Sequence, residues 1–193
     1  MPIQVPTRRS STKSGPRTLS TAQLRCLLDF TANNPAMQDL HDVAVILTNT
    51  GLRAGELVRL RWHDVDFDRH KIAIVPHKSP CHRYVPVGTR TTEVLVARRE
   101  RHPESEFVLG SSPEKLLTRI KHQLKRVCEE IGLGGVNLRV LRHTFIYRWV
   151  ASGGNSGALM AICGWKSDYF INLHGEQGFE IAVRDQAQVE ESQ

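Results

Sequence analysis

No apolar stretch of this 193-residue chain approaches the roughly 20 residues a bilayer-spanning helix needs, so no membrane partner is expected. The opening segment MPIQVPTRRSSTKSGPR is basic but carries no apolar core, so it does not read as a secretory signal. The four cysteines, Cys26, Cys81, Cys128 and Cys163, lie far apart and form no CxxC pair. They fit reduced thiols in a cytosolic protein better than a disulfide framework. No internal repeat is visible, and nothing resembles a nucleotide-binding glycine loop or a Ser-His-Asp arrangement. His77, Cys81 and His82 cluster in one connection, where a soft metal could use them, but a fourth ligand is missing. Neither a metal nor a cofactor is expected.

Apolar residues make up 40% of the chain and charged residues 24%, a globular balance, and the length suits one domain with a real core. The net charge is +6, which favours a polyanionic partner but says little alone. The distribution says more. Arg8, Arg9, Lys13, Arg17 and Arg25 all precede the first acidic residue, Asp29. The sign reverses at the C-terminal end with Glu176, Glu180, Asp185, Glu190 and Glu191. Two solvated tails explain this pattern, and so does a basic arm that touches phosphates.

Residues 1–17, rich in Pro, Ser, Thr and Arg without periodicity, read as a disordered basic arm. Residues 18–180 read as one folded domain, and 181–193 as an acidic tail. Thr18 or Ser20 can cap a helix through TAQLRCLLDFTAN, where Leu24, Leu27 and Leu28 recur at helical spacing. DLHDVAVILTNTG is a second helix closed by Gly51, and RAGELVRLRW a short third. KIAIVPH and RYVPVG are β-rich runs separated by KSPCH, which predicts a hairpin. TTEVLVARRERH, PEKLLTRIKHQLKRVCEEIG, NLRVLRHTFIYRWVASGG and SGALMAICGW continue as helices. Trp62 and Trp149 read as core aromatics, and Cys163 as a small core residue. The fold class is α+β, mainly α-helical, with a small inserted β-hairpin or sheet.

Three basic sites stand out by context. Arg53 lies in NTGLRAGEL between a glycine turn and a helix start, where an arginine fork suits a phosphate. Glu56, three residues on, can brace its guanidinium. Arg139 and Arg142 are one turn apart in RVLRH and point the same way. Lys78 sits at the hairpin tip, where a long amine can reach a substrate. Each alone is most simply a surface salt bridge; their joint occurrence argues otherwise.

TGLRAGELVRLRWHDVDF resembles the first signature box of the tyrosine recombinase (phage integrase) family, LRHTF the second, and CGW followed by a helix the third. The order and spacing agree, with Lys78 between the first two boxes. The resemblance runs from about Thr18 to about Phe179. It implies a mostly helical catalytic domain that acts on double-stranded DNA, breaking and rejoining strands through a 3′-phosphotyrosyl bond without ATP or metal. It further implies a homo-oligomer on DNA, or pairing with a partner recombinase, in the cytoplasm at the nucleoid. Carried over, Arg53 and Arg142 would hold the non-bridging phosphate oxygens and stabilise the pentavalent transition state. Lys78 would give a proton to the 5′-hydroxyl leaving group. Trp165 matches a position held by His or Trp, and its indole N–H can only donate. His143 matches a supporting residue.

Three departures stand against that pattern. Arg139 occupies a position usually held by His or Lys, and an arginine is never free to take a proton. Family members usually carry a DNA-clamping domain before the catalytic one, whereas only the basic arm precedes Thr18 here, so weak DNA binding is expected unless the chain is a fragment or a partner supplies the other half. The nucleophilic tyrosine is expected nine residues after Trp165, and His174 stands there. Imidazole can attack phosphorus, but it is shorter than a phenol, and misplacement by about 1 Å costs on the order of 100-fold. Tyr169, the alternative nucleophile, lies roughly 140° around a helix from His174. Tyr147 is expected to face away from Arg142 or into the core. Three readings stay open: a degenerate cleavage site, a displaced or histidine nucleophile, and a DNA-binding, regulatory or partner subunit that uses the fold without chemistry, docking in trans by its acidic tail.

Overall fold

The computed structural model describes residues 16–75 and 83–165. Ser20 opens α1 (Thr21–Ala32) with a reciprocal cap: its hydroxyl accepts from the Gln23 N–H at 3.2 Å, and the Gln23 side chain accepts from the Ser20 N–H at 3.0 Å. Leu24, Leu27 and Leu28 face inward, as their spacing predicts. A 3-10 turn at Pro35–Met37 leads to α2 (Gln38–Thr50). Ten of its thirteen residues are buried, so α2 is the axis of the domain, with α1, α4, α5 and α6 packed around it. It stops at Gly51, whose φ of 62° is a left-handed cap.

The third helix, α3 (Ala54–Arg59), is shorter than RAGELVRLRW suggests. Leu60 turns extended, and the backbone there pairs with a distant segment, Val108 N–H to Leu60 O at 2.9 Å and Trp62 N–H to Glu106 O at 3.1 Å. A tertiary ladder outcompetes the last helical turn. The expected hairpin is present but belongs to a three-stranded antiparallel sheet, β1 (Val65–Asp66), β2 (Lys71–Ile74) and β3 (Arg83–Pro86), in that order. The two-residue β1 gave no periodic signal. Pairs Val65↔Ile72 and Ile72↔Val85 set the register and put Ile72, Ile74 and Val85 against the core. The connection holding Lys78, His77, Cys81 and His82 lies outside the described residues.

Beyond the sheet come α4 (Thr89–Arg101), α5 (Pro113–Glu130), α6 (Leu138–Ala151) and α7 (Ser156–Cys163). α5 buries one stripe, Leu117, Ile120, Leu124, Val127 and Cys128. Asn137 caps α6 through the N–H groups of Arg139 and Val140, and Asn155 caps α7 through that of Ala158. Trp62 is buried as expected, whereas Trp149 is only half-buried and donates its indole N–H to Asn155 O at 3.1 Å. Arg17, assigned to the arm from sequence, rests its guanidinium over Gly135 and reaches Leu133 O at 3.5 Å. Cys26, Cys128 and Cys163 are free thiols. Among the described residues no helix is long and apolar enough to cross a membrane, and no His, Cys, Asp and Glu cluster could hold a metal ion.

Two arginines in this domain are buried in opposite ways. Arg98 on α4 is fully buried and neutralised: its guanidinium pairs with Asp39 at 2.8 Å and Asp42 at 2.9 Å on α2. Burial pushes the Asp39 carboxyl up, but hydrogen bonding and charge from Arg98 outweigh it and hold the group below its ordinary range. This is a structural ion-pair cluster that ties α4 to α2. The other buried arginine, Arg142, is differently furnished.

A candidate anion-binding cleft

Arg142 lies in the middle of α6 and is 8% exposed. It donates to the carbonyl of Gly51, at the end of α2, and to that of Cys163, at the end of α7, at 3.4 Å. Among the described residues no carboxylate pairs with it. A structural buried arginine is expected to be neutralised, as Arg98 is. Arg142 instead has its plane fixed by neutral carbonyls and keeps a whole positive charge. Burial lowers its pKa from the ordinary arginine value, and an arginine starts so high that it stays charged.

Gly51 is required at that junction. Beyond its positive φ, a Cβ there would stand 2.4 Å from the Phe145 ring. A bare backbone lets α2 end against α6 and present its carbonyl to Arg142. On the other side, Gly164 closes α7 with φ 65°, and Trp165 follows it with its ring centroid 5.9 Å from the Arg142 guanidinium carbon.

Arg53 stands at the cap position of α3, with its side chain 46% exposed. Glu56 holds it twice: one carboxylate oxygen accepts from the Arg53 N–H at 2.7 Å, and the other from its guanidinium at 2.8 Å. The bracing predicted from the three-residue spacing is present. Burial pushes the Glu56 carboxyl up, but hydrogen bonds from Arg83 and Arg53 outweigh it and keep it ionised. Arg139 and Arg142 share one face, as predicted, and Arg139 donates its Nε–H to His143 Nε2 at 3.2 Å. Burial, with the charges of Arg139 and Arg142, pushes the His143 imidazole down to about 4, so it is neutral and its proton is on Nδ1.

These parts meet in one cleft of about 370 Å³, lined by Arg53, Arg139, Arg142, His143 and Trp165 with apolar Leu138 and Ile146. A wider recess of about 800 Å³ adjoins it, where Arg53 is joined by Arg59, Arg61 and His63. Residues from α3, α6 and the end of α7 thus converge on one positively charged concavity. Lys78, Tyr169 and His174 lie outside the described residues. Tyr147 is half-buried on α6 and does not line the cleft.

Sequence reasoning missed Arg83. From β3 it donates its Nε–H to Ile162 O at 2.7 Å and its terminal N–H to Glu56 at 2.7 Å, with its side chain 12% exposed. A signal existed: in RYVPV the strand period places Arg83 on the face of buried Val85, and an inward cation needs a partner. The carbonyl roles of Gly51 and Cys163 carried no signal at all.

The fold and the cleft define a helical domain with a positively charged, arginine-lined concavity at its centre. The profile of the phage integrase family matches residues 17–173, and the chain belongs to that family, with the fold of a tyrosine recombinase catalytic domain. It is similar to the tyrosine recombinase XerC of Roseiflexus castenholzii, 29% identical over 169 residues, which cover 79% of this chain and 52% of that protein. It is also similar to the tyrosine recombinase XerA of Thermococcus kodakarensis, 29% identical over 158 residues and covering 79% and 55%. The chain spans about half the length of the curated relatives it matches. A crystal structure of a XerA recombinase superposes with a TM-score of 0.73 at 20% identity, covering 89% of this chain and 65% of that one. XerH bound to its difH substrate before cleavage gives a TM-score of 0.70 at 18% identity, covering 88% and 53%.

Proposed function

We propose that this chain is a site-specific recombinase or integrase domain that grips double-stranded DNA, and that His174 has cost it strand cleavage. The observation that carries the reading is the charge of Arg142, buried against carbonyls and beside Arg53 rather than neutralised. A phosphodiester needs donors already fixed where charge develops, and a guanidinium held by two carbonyls meets that need without reorganisation. Arg53, Arg139 and Trp165 add donors around the same oxygens, and Lys78 is placed by sequence to protonate the leaving 5′-hydroxyl. With a tyrosine at 174, its phenolate would attack phosphorus and form the 3′-phosphotyrosyl bond as the 5′-oxygen departs with that proton. Binding of difH by XerH supports DNA as the ligand. Assembly would be with copies of itself on DNA or with an intact partner recombinase, in the cytoplasm at the nucleoid.

A second reading, a DNA-binding or regulatory protein that never cleaves, is favoured by the Arg139–His143 bond. Arg139 cannot accept the nucleophile's proton, and His143 Nε2 is already engaged and held weakly basic. The test is a nicked suicide duplex carrying a candidate recombination site, read for covalent adducts on a denaturing gel with peptide mapping. The expected result is salt-sensitive DNA retention, no adduct with the wild-type chain, and an adduct with His174→Tyr. A wild-type adduct on Tyr169 or His174 would show that cleavage survives and overturn the proposal. Retention without any adduct from His174→Tyr would leave the second reading, and no retention would end both.

A further inference from the structure

Resting on the DNA-binding reading above, we infer that Arg83 is a positioning residue that keeps the charge of Arg53 available to DNA phosphate by sharing Glu56, and that couples this to the seating of α7. Glu56 is 12% exposed and accepts three hydrogen bonds, two from Arg53 and one from Arg83. Three guanidiniums, Arg53, Arg83 and Arg142, act on this one carboxylate. With Arg83 present, two guanidiniums share the one carboxylate, the largely covered Arg83 and the half-exposed Arg53, so the group keeps one positive charge in surplus on its open side. Without Arg83, the same carboxylate has only Arg53 to pair with, and a group that carried one surplus positive charge, two guanidiniums on one carboxylate, becomes a neutral ion pair.

The other end of Arg83 makes this a coupling. Its Nε–H holds the carbonyl of Ile162, in the last turn of α7. Its aliphatic stem lies against Gly164, where an added Cβ would stand 3.2 Å from Cδ. Trp165 follows directly. One side chain therefore joins the α3 wall of the cleft, through Glu56, to the α7 wall, through Ile162 and Gly164. A shift of α7 away from β3 would release Arg83 and leave Glu56 to Arg53 alone. Arg83 lines neither the cleft nor the adjoining recess, whereas Arg53 lines both and Glu56 lines the recess, so its effect on binding has to pass through Glu56.

The test is the salt dependence of binding to a short mixed-sequence DNA duplex, measured by fluorescence anisotropy on the whole chain. Each phosphate neutralised contributes about 0.9 to the slope of log K against log salt. Arg83→Met is expected to lower affinity about tenfold at moderate salt and to flatten the slope by about 0.9, because one phosphate fewer is neutralised. Adding Glu56→Gln to Arg83→Met is expected to restore the slope, because the amide keeps an acceptor for the Arg53 N–H and no longer neutralises its side chain. A merely structural Arg83 predicts the reverse, since the second change removes one more anchor. Thermal melting reports whether each variant folds. If Arg83→Met does not fold, Arg83→Lys decides: it keeps a cation against Glu56 and is expected to keep the wild-type slope. An unchanged slope in folded Arg83→Met, no restoration in the double variant, or a flattened slope in Arg83→Lys would overturn the inference. Absence of wild-type DNA binding would instead refute the functional reading beneath it.

Discussion

Gly51→Ala is the smallest substitution that strains both the packing and the cleft. The residue has φ 62°, and an L side chain held in the left-handed region costs about 1–2 kcal/mol. The added methyl would also stand 2.4 Å and 2.7 Å from two carbons of the Phe145 ring. Phe145 is 8% exposed and packs tilted on Trp149 at 5.9 Å, so it has little freedom to retreat. Overpacking of this kind costs about 1–3 kcal/mol. The sum is about 2–5 kcal/mol, which lowers the melting temperature of a domain of this size by roughly 5–15 °C. Equilibrium denaturation followed by far-ultraviolet circular dichroism measures it. A cycle with Phe145→Ala separates the parts: relieving the clash should make the pair less destabilising than the two single changes added, by about 1–3 kcal/mol. Because the Gly51 carbonyl holds Arg142, DNA affinity should fall as well. A cost below about 1 kcal/mol, or an additive cycle, would refute the claim that Gly51 is fixed by Phe145.

Asp42→Asn should cost about 3–5 kcal/mol in chemical denaturation, because Asp42 is 1% exposed and serves fully buried Arg98, which is left with Asp39 alone. Stability should also fall as pH drops from about 6.5 toward 4. His143 titrates near 4 when folded and near 6.5 when unfolded, so the unfolded chain binds the extra proton in that window. The contribution is full above pH 6.5 and reaches about 3 kcal/mol, and buried His41, also held low, acts in the same direction. Asp39 and Glu56 lose their share only at still lower pH, where their depressed carboxyls protonate. Denaturant midpoints between pH 7.5 and 4.5 measure the slope, and His143→Gln should reduce it; an equal slope in that variant would remove His143 from the account.

The helices were legible because their apolar spacing and caps are local. Ser20 with Gln23, and Gly51 after α2, sit within a turn of what they terminate. The Arg53–Glu56 brace and the shared face of Arg139 and Arg142 were legible for the same reason, a fixed helical offset. What escaped depends on long-range geometry. The shortened end of α3 is decided by pairing with Glu106 and Val108, and Arg83 finds partners 27 and 79 residues away. The charge of Arg142 could be guessed from its motif, but not that two backbone carbonyls hold it.

The near-complete burial of α2 has a consequence for how the cleft opens. Amides of a helix enclosed on every side exchange with solvent only when the whole domain unfolds, whereas a short peripheral helix opens by itself at lower cost. Gly51, the carbonyl anchor of Arg142, ends the helix expected to exchange slowest. Trp165 hangs from α7, eight residues long with three buried. In native-state hydrogen exchange the two sides of the cleft should therefore separate in time. The cleft has one wall on the core helix and one on a short peripheral helix, so a protein that has let go of Trp165 and of the Cys163 carbonyl still carries Arg142 tethered at Gly51.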